Sequence, residues 1–298
     1  MSFQQYLKAV GTGPKGNKDL SFEQSQDMME QILGGELFPE QISAFLLGWR
    51  LKPETIEEFQ GALAACDALV QKSSISNSIE LGYPFDGKAK NPYLFPLVSQ
   101  VLASSDLNLV ILGDDLQPAK SGVTTKDICQ NIDLLENIKY FDRANYLPEL
   151  HKLTELRNRL GLRSGLNTIE KLPNVTQSDY AITGVHHKPY VKKYMEIFSS
   201  RYKRFALIQG NEGSPELFSK GTLWLSTNRD IEEQIIDPAY YGISVKKSTQ
   251  MLSLEDSLAM IKNPDAEFLA LAKLNAALWL FISEKYSSID EAYQSLQT

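Results

Sequence analysis

The sequence predicts an α/β fold: a small helical domain followed by a larger α/β domain built on a mainly parallel central sheet. Three observations carry that expectation. The first seventy residues place their apolar side chains at helical spacing. Beyond residue 78, short apolar runs alternate with helical segments, and the chain then closes on two further helical stretches. With 298 residues and 43% hydrophobic content the chain can bury a full core, which sets disorder aside.

Taken in order, Ser21 is placed to cap a helix carrying Phe22, Met28, Met29, Ile32 and Leu33, and Gly34-Gly35 ends it. Pro39 suits the first turn of the next helix, where Ile42, Phe45, Leu46 and Trp49 share a face. A third helix begins near Glu54-Thr55, with Ile56, Phe59, Leu63 and Val70 at helical spacing. Residues 1–72 are therefore expected as an N-terminal helical domain, joined by a few helices from later in the chain. Residues 73–298 are expected as the α/β domain. Its strands are predicted at Leu107 to Leu112, Tyr180 to Val185, Phe205 to Gln209 and Thr222 to Ser226, with Val191 to Phe198 as a crossover helix. Helices Ala266 to Glu284 and Ile289 to Leu296 end the chain and are expected to rejoin the N-terminal ones.

Composition narrows the function classes. The apolar run Ala276 to Ile282 falls well short of the roughly 18 residues that cross a bilayer, so no membrane is expected. The N-terminus has no basic segment followed by an apolar stretch, and a cytoplasmic location follows as an expectation. Cys66 and Cys129 lack partners at metal-ligand spacing and read as reduced core thiols. A net charge of -7 and a pI near 5.2 argue against a surface that is basic throughout.

A local basic patch remains. Lys188, Lys192, Lys193, Arg201, Lys203 and Arg204 face one acid, Glu196, with Tyr190, Tyr194, Phe198 and Tyr202 interleaved. Such a segment either contacts nucleic-acid phosphates, with the tyrosines stacking, or is the solvated face of a helix whose aromatics look inward. Gly11 to Gly16 is no Walker loop, because no strand precedes it and the Gly-Lys-Ser/Thr ending is missing. His186-His187 has no third ligand at metal spacing.

Between Leu20 and Gly61 the chain carries Gly35-Glu36, Gln41-Ile42, Ala44-Phe45-Leu46-Leu47, Arg50, Lys52, Glu54-Thr55 and Glu57-Glu58 in order. Leu160-Gly161-Leu162-Arg163 follows, with Asn167, Asn174, Gly184-Val185, Ile208, Gly210 and Leu274-Asn275-Ala276-Ala277. This series resembles the anthranilate phosphoribosyltransferase superfamily (glycosyltransferase family 3) over nearly the whole chain. Gly11 to Gly16 and Gly184-Val185-His186-His187 are similar to its divergent anthranilate phosphoribosyltransferase-like branch, some members of which bind nucleic acid. The resemblance implies a nucleoside phosphorylase/phosphoribosyltransferase-like fold, a homodimer formed through the N-terminal helices, and a phosphorylated ligand with magnesium in the interdomain cleft. If the chain is active, the resemblance implies a pentosyltransferase.

Three family motifs are altered. Where the family has a Gly-Thr-Gly-Gly-Asp-Gly phosphate cradle, this chain has Gly82-Tyr83-Pro84-Phe85-Asp86-Gly87-Lys88-Ala89-Lys90-Asn91, and a proline donates no N–H. Asp86, Gly87 and Asn91 still match; Lys88 and Lys90 either lend charge to a phosphate or sit on a solvated turn. The family's Lys-His-Gly-Asn-Arg loop becomes Leu112-Gly113-Asp114-Asp115, which repels phosphate. Lys120, Ser121 and Thr124 further on either bind an anion or, for Thr124, cap the next helix. The magnesium motif Gly-x-Asp-Gly-x-Asp-Glu becomes Gly210-Asn211-Glu212-Gly213-Ser214-Pro215-Glu216, leaving Glu216 as the remaining metal carboxylate or as part of a structural loop with two exposed glutamates.

Arg163 matches the arginine that grips the acceptor carboxylate in the family, although Glu170-Lys171 replaces the family's Gly-Pro nearby. An ion pair with Glu155 or Asp142 is the structural alternative. The expectation is a divergent protein that binds an anionic ligand and lacks orthodox anthranilate activity. A nucleic-acid-binding dimer and a ligand sensor on a retired enzyme fold are the alternatives.

Overall fold

The computed structural model describes residues 2–186, 188–227, 230–244 and 250–297. Four helices come first: α1 (Phe3–Gly11), α2 (Phe22–Leu33), α3 (Pro39–Leu51) and α4 (Ile56–Leu69). Their ends follow the local chemistry. The Gln24 N–H donates to Ser21 Oγ at 3.3 Å while the Gln24 side chain accepts from the Ser21 N–H at 3.0 Å, a capping box that starts α2. Thr55 and Glu58 do the same for α4. Pro39 opens α3, and Gly35 turns the chain beyond α2 at a φ of 78°, a conformation that favours glycine.

Seven strands form one sheet: β1 (Ser78–Gly82), β2 (Asn108–Gly113), β3 (Ile138–Asp142), β4 (Tyr180–Gly184), β5 (Arg204–Ile208), β6 (Gly221–Thr227) and β7 (Asp230–Ile236). Their order is β3-β2-β1-β4-β5-β6-β7, with the first five parallel and the last two antiparallel. The four expected strands are β2, β4, β5 and β6. The other three were hidden by polar residues. β1 carries the buried Glu80, β3 is an edge strand reading Ile-Lys-Tyr-Phe-Asp, and β7 is an edge strand whose Asp230 to Ile235 are exposed.

Each central strand buries both faces, as parallel sheets do. Val110, Leu112, Ala181, Phe205 and Leu207 look toward α1 to α4 and share a core with Met28, Phe45, Trp49 and Phe59. Leu109, Ile111, Ile182, Ala206 and Ile208 look the other way, onto the helix Ala266–Ile282. The C-terminal helices therefore do not rejoin the N-terminal ones. Their apolar surface is long enough to cover the opposite sheet face. The elements that return to α3 and α4 are the helices Thr154–Leu160, Leu166–Ile169 and Pro189–Phe198.

Cys66 and Cys129 are free and buried, and burial pushes both thiols up to about 12. Among the described residues no helix is long and apolar enough to cross a membrane. The strand order fixes where a ligand crevice lies. After β1 the chain passes to the helix Phe95–Val101, in the core of the C-terminal helices; after β4 it passes to Pro189–Phe198, in the core of α1 to α4. Connections leaving neighbouring strands toward opposite faces open a crevice at their carboxyl ends, here beyond Gly82 and Gly184.

Candidate functional site

The three altered loops meet at this crevice and bind one another. Tyr83 follows directly from β1 and donates its hydroxyl to Glu216 Oε1 at 2.6 Å. The Leu94 and Phe95 N–H groups donate to the same oxygen at 2.6 and 3.2 Å, and the Lys88 ammonium pairs with Oε2. Lys88 and Glu216 are both fully enclosed, with Lys88 also donating to the Pro92 carbonyl at 2.9 Å and lying over the Phe218 ring at 4.3 Å. Burial pulls the Lys88 pKa down, and Glu216 offsets this only in part.

Two expectations are corrected here. Glu216 is not an exposed loop glutamate: it is buried, and both its oxygens accept from protein donors, one of them a buried ammonium. Lys88 is not on a solvated turn: it is enclosed and its ammonium pairs with Glu216.

The second loop is neutralised in the same way. Asp114 is buried at the end of β2; its Oδ2 pairs with Arg143 and its Oδ1 lies 2.6 Å from His151 Nδ1. Arg143 also pairs with Glu170, which Arg157 grips at 2.6 and 3.1 Å. Burial works to raise the Glu170 pKa, but the two guanidinium groups outweigh it and hold the carboxyl below its ordinary range. The Arg143 guanidinium sits 4.6 Å from the Phe85 ring. Phe85, which replaces a glycine of the cradle, is thus the lid on the arginine that pairs with Asp114, which itself stands in the second altered loop. Asp114, Asp115 and His151 lie close enough to share a cation, but Arg143 holds Asp114, and Lys126 holds Asp115 at 2.9 Å. That set suits an ion network better than magnesium.

The remaining predicted residues divide. Asp86 is buried and accepts from Arg163, with Lys120 Nζ 3.4 Å from its other oxygen. Neither Glu155 nor Asp142 is the partner of Arg163; Arg159 pairs with Glu155, and Lys126 with Asp142. Gly87 and Gly122 meet main chain to main chain: a Cβ on Gly87 would lie 2.6 Å from Gly122, so the close approach requires glycine. Thr124 caps the helix Thr125–Gln130, its Oγ1 accepting from the Asp127 N–H at 3.0 Å.

Lys90 and Ser121 are exposed, Arg163 is about half exposed, and Lys120 donates to the Glu212 carbonyl at 2.9 Å. Burial pulls the Lys120 pKa down against Asp86 and Glu212. Asn91 donates to Glu212 from its main chain and side chain, both at 3.1 Å.

Lys171 was missed as a candidate. It is nearly buried, its Nζ lies 3.4 Å from the Gly184 carbonyl at the end of β4, and among the described residues no carboxylate pairs with it. Its only sequence signal was the replacement of a Gly-Pro pair. Arg143, Arg157 and His151 carried no local motif at all.

The basic segment is tied down locally. Arg201 grips Asp67 at 2.6 and 2.7 Å, and Lys203 pairs with Glu284. Lys188 pairs with Glu233, and Lys192 with Glu196. Lys193 donates to the Glu54 carbonyl and Arg204 to that of Phe281. His187 lies outside the described residues. Two cavities of about 430 and 420 Å³ lie elsewhere, one beside Lys220 and Asp237, the other beside Arg204 and Glu284.

Comparison with known proteins bears on the fold and its relatives. Residues 4–69 match the family described as the glycosyl transferase family, helical bundle domain. The sequence is 31% identical to an uncharacterized protein of Aquifex aeolicus over 287 residues, 92% of this chain and 91% of that protein. It is 25% identical to the anthranilate phosphoribosyltransferase of Petrotoga mobilis over 328 residues, 99% of this chain and 91% of that one. The anthranilate phosphoribosyltransferase of Saccharomyces cerevisiae in complex with PRPP and Mg matches the fold with a TM-score of 0.79 at 13% identity, covering 99% of this chain and 92% of that one. The Thermus thermophilus anthranilate phosphoribosyltransferase gives 0.77 at 16% identity, with the same coverage.

Proposed function

We propose that this chain, which belongs to the anthranilate phosphoribosyltransferase superfamily, binds a phosphorylated or anionic ligand at the crevice beyond β1 and β4 and does not carry out orthodox anthranilate transfer. The observation that carries the reading is Lys171. This enclosed ammonium, beside the strand ends where α/β sheets take ligands, meets the Gly184 carbonyl and the Tyr194 ring at 5.4 Å but no carboxylate among the described residues, so no anion balances its charge. Lys90, Ser121 and Arg163 add donors from the exposed side.

The case against orthodox transfer rests on the loops. A metal carboxylate committed to Lys88, and a phosphate loop whose aspartate is committed to Arg143, leave the transferred group without the charge stabilisation that transfer needs. Magnesium, if it enters with the ligand, would be held by phosphate oxygens rather than by Glu216.

Titration calorimetry with phosphoribosyl pyrophosphate, with and without magnesium, tests the reading. Binding is expected to the wild type and to be lost in Lys171→Met; equal binding by both proteins sinks it. Added anthranilate should produce no phosphoribosyl transfer.

We propose further that the protein is a homodimer through its N-terminal helices. Ala44, Leu47 and Leu51 form an exposed stripe along α3 at helical spacing, with Phe38 beside its start. Leu47→Asp with Leu51→Asp should halve the mass seen by light scattering, and a wild type that is already monomeric refutes the assembly.

A further inference from the structure

The turn 88–91 already holds an anion. The main-chain N–H of Ala89 donates to Glu212 Oε1 at 2.7 Å, that of Lys90 to Oε2 at 3.2 Å and that of Asn91 to Oε2 at 3.1 Å. Asn91 Nδ2 adds a fourth bond at 3.1 Å. Successive main-chain donors converging on one group make a nest, and a nest selects charge and size rather than the identity of the acceptor.

The occupant comes from far along the sequence and is held at some cost. Glu212 has a φ of 57°, a left-handed conformation that side chains other than glycine rarely adopt, and Lys120 pins its carbonyl at 2.9 Å. The donors outweigh burial and keep its carboxyl below the ordinary range, so it sits in the nest as an anion at neutral pH. It lies on the loop 210–216 that covers the crevice; a Cβ on Gly184 would run into Gly213 and Ser214.

The turn stands where the family resemblance already expects a phosphate; we propose that Glu212 is a built-in occupant of its donors, displaced when a phosphorylated ligand binds. The proposal rests on the reading that the crevice takes an anionic ligand. It adds why entry is gated. A pyrophosphate brings more charge and more acceptor oxygens than one carboxylate, so it can replace Glu212 on the same donors. Lys90 and Arg163 stand at the exposed rim to meet the additional oxygens.

Inorganic pyrophosphate titrated into the wild type and Glu212→Gly, followed by calorimetry and by amide resonances, tests this. Glycine accepts the left-handed backbone, so the variant is expected to fold. It should bind at least about tenfold more tightly than the wild type, the scale of one charge-assisted hydrogen bond relieved of its competitor. The amides of Ala89, Lys90 and Asn91 should shift, and Asn91→Ala added to Glu212→Gly should take back part of the gain. Glu212→Gln, which keeps the volume and removes the charge, should fall between and carries the test if the glycine variant misfolds.

Equal affinity of wild type and variants, or tighter binding that leaves those amides unmoved, overturns the nest. If the wild type binds phosphoribosyl pyrophosphate and the variants gain nothing, the gate is wrong and the crevice reading stands. If the wild type ignores phosphoribosyl pyrophosphate while the variants take pyrophosphate on those amides, the gate stands and the crevice reading falls.

Discussion

Two buried glutamates, Glu58 among the N-terminal helices and Glu216 at the crevice, do the same physical job over very different reaches of sequence. Glu58 accepts from the Leu20 N–H at 2.9 Å, the Trp49 indole at 3.0 Å and the Thr55 N–H at 2.8 Å, with Lys52 as its cation. All these partners lie within 38 residues of it. Glu216 collects Tyr83, Lys88, Leu94 and Phe95, all more than 120 residues away. The helical unit closes on itself through local caps. The crevice closes by joining loops that share no stretch of chain. The polar hub of the first region is encoded within a short stretch of sequence, whereas that of the second is assembled from loops far apart in the chain.

The strongest way to break the comparison is to strand Glu216. Lys88→Met leaves a carboxylate buried without a cation and should cost about 3–5 kcal/mol in urea unfolding. Adding Glu216→Gln should recover much of that loss, as expected of one coupled pair.

Glu58→Gln is the local counterpart. It keeps the shape but removes the charge shared by four donors, and a loss of roughly 1–3 kcal/mol is expected in the same assay.

A third glutamate sharpens the contrast by having little support. Glu80 on β1 is fully buried, accepts from the Asn174 N–H at 3.1 Å through one oxygen, and has no partner for the other. Burial raises its pKa from 4.5 to about 7. The folded protein then holds this proton more tightly than the unfolded chain, so the contribution is fully present below about 4.5 and is lost as the pH rises through about 7. Glu80→Gln should therefore flatten the pH dependence, gaining on the order of 2–3 kcal/mol on the wild type between acid and mildly alkaline solution. Unfolding curves at several pH values decide it, and parallel wild-type and mutant profiles would contradict the assignment.

The smallest effect belongs to the rim. Arg163 is about half exposed, and Arg163→Ala should change stability by no more than about 1 kcal/mol while weakening anion binding. A variant that loses stability but not affinity would move Arg163 from the site to the scaffold.

Legibility from sequence follows the same division. Ser21, Pro39, Thr55 and the apolar spacing of α2 to α4 were readable because caps and helical faces involve neighbours three or four residues apart. The apolar strands β2, β4, β5 and β6 were readable as runs. β1 was not, because Glu80 interrupts Ile79 and Leu81 in a strand of five residues. At the crevice, Tyr83, Phe85, Asp114 and Pro215 were visible as departures from a family pattern, but what each departure had gained was not. Arg143 carries no motif, and Lys88 was visible only as a lysine in the altered cradle; the meaning of both lies in carboxylates brought to them by the sheet order.

The stack of Phe85 on Arg143 has a further consequence, for which substitutions the two loops tolerate. A glycine at position 85 would uncover Arg143, and a neutral or basic residue at position 114 would leave that same arginine without one of its carboxylates. Each single change is penalised while its partner remains. Positions 85 and 114 are therefore coupled through Arg143, and a change at one is tolerated only with a matching change at the other.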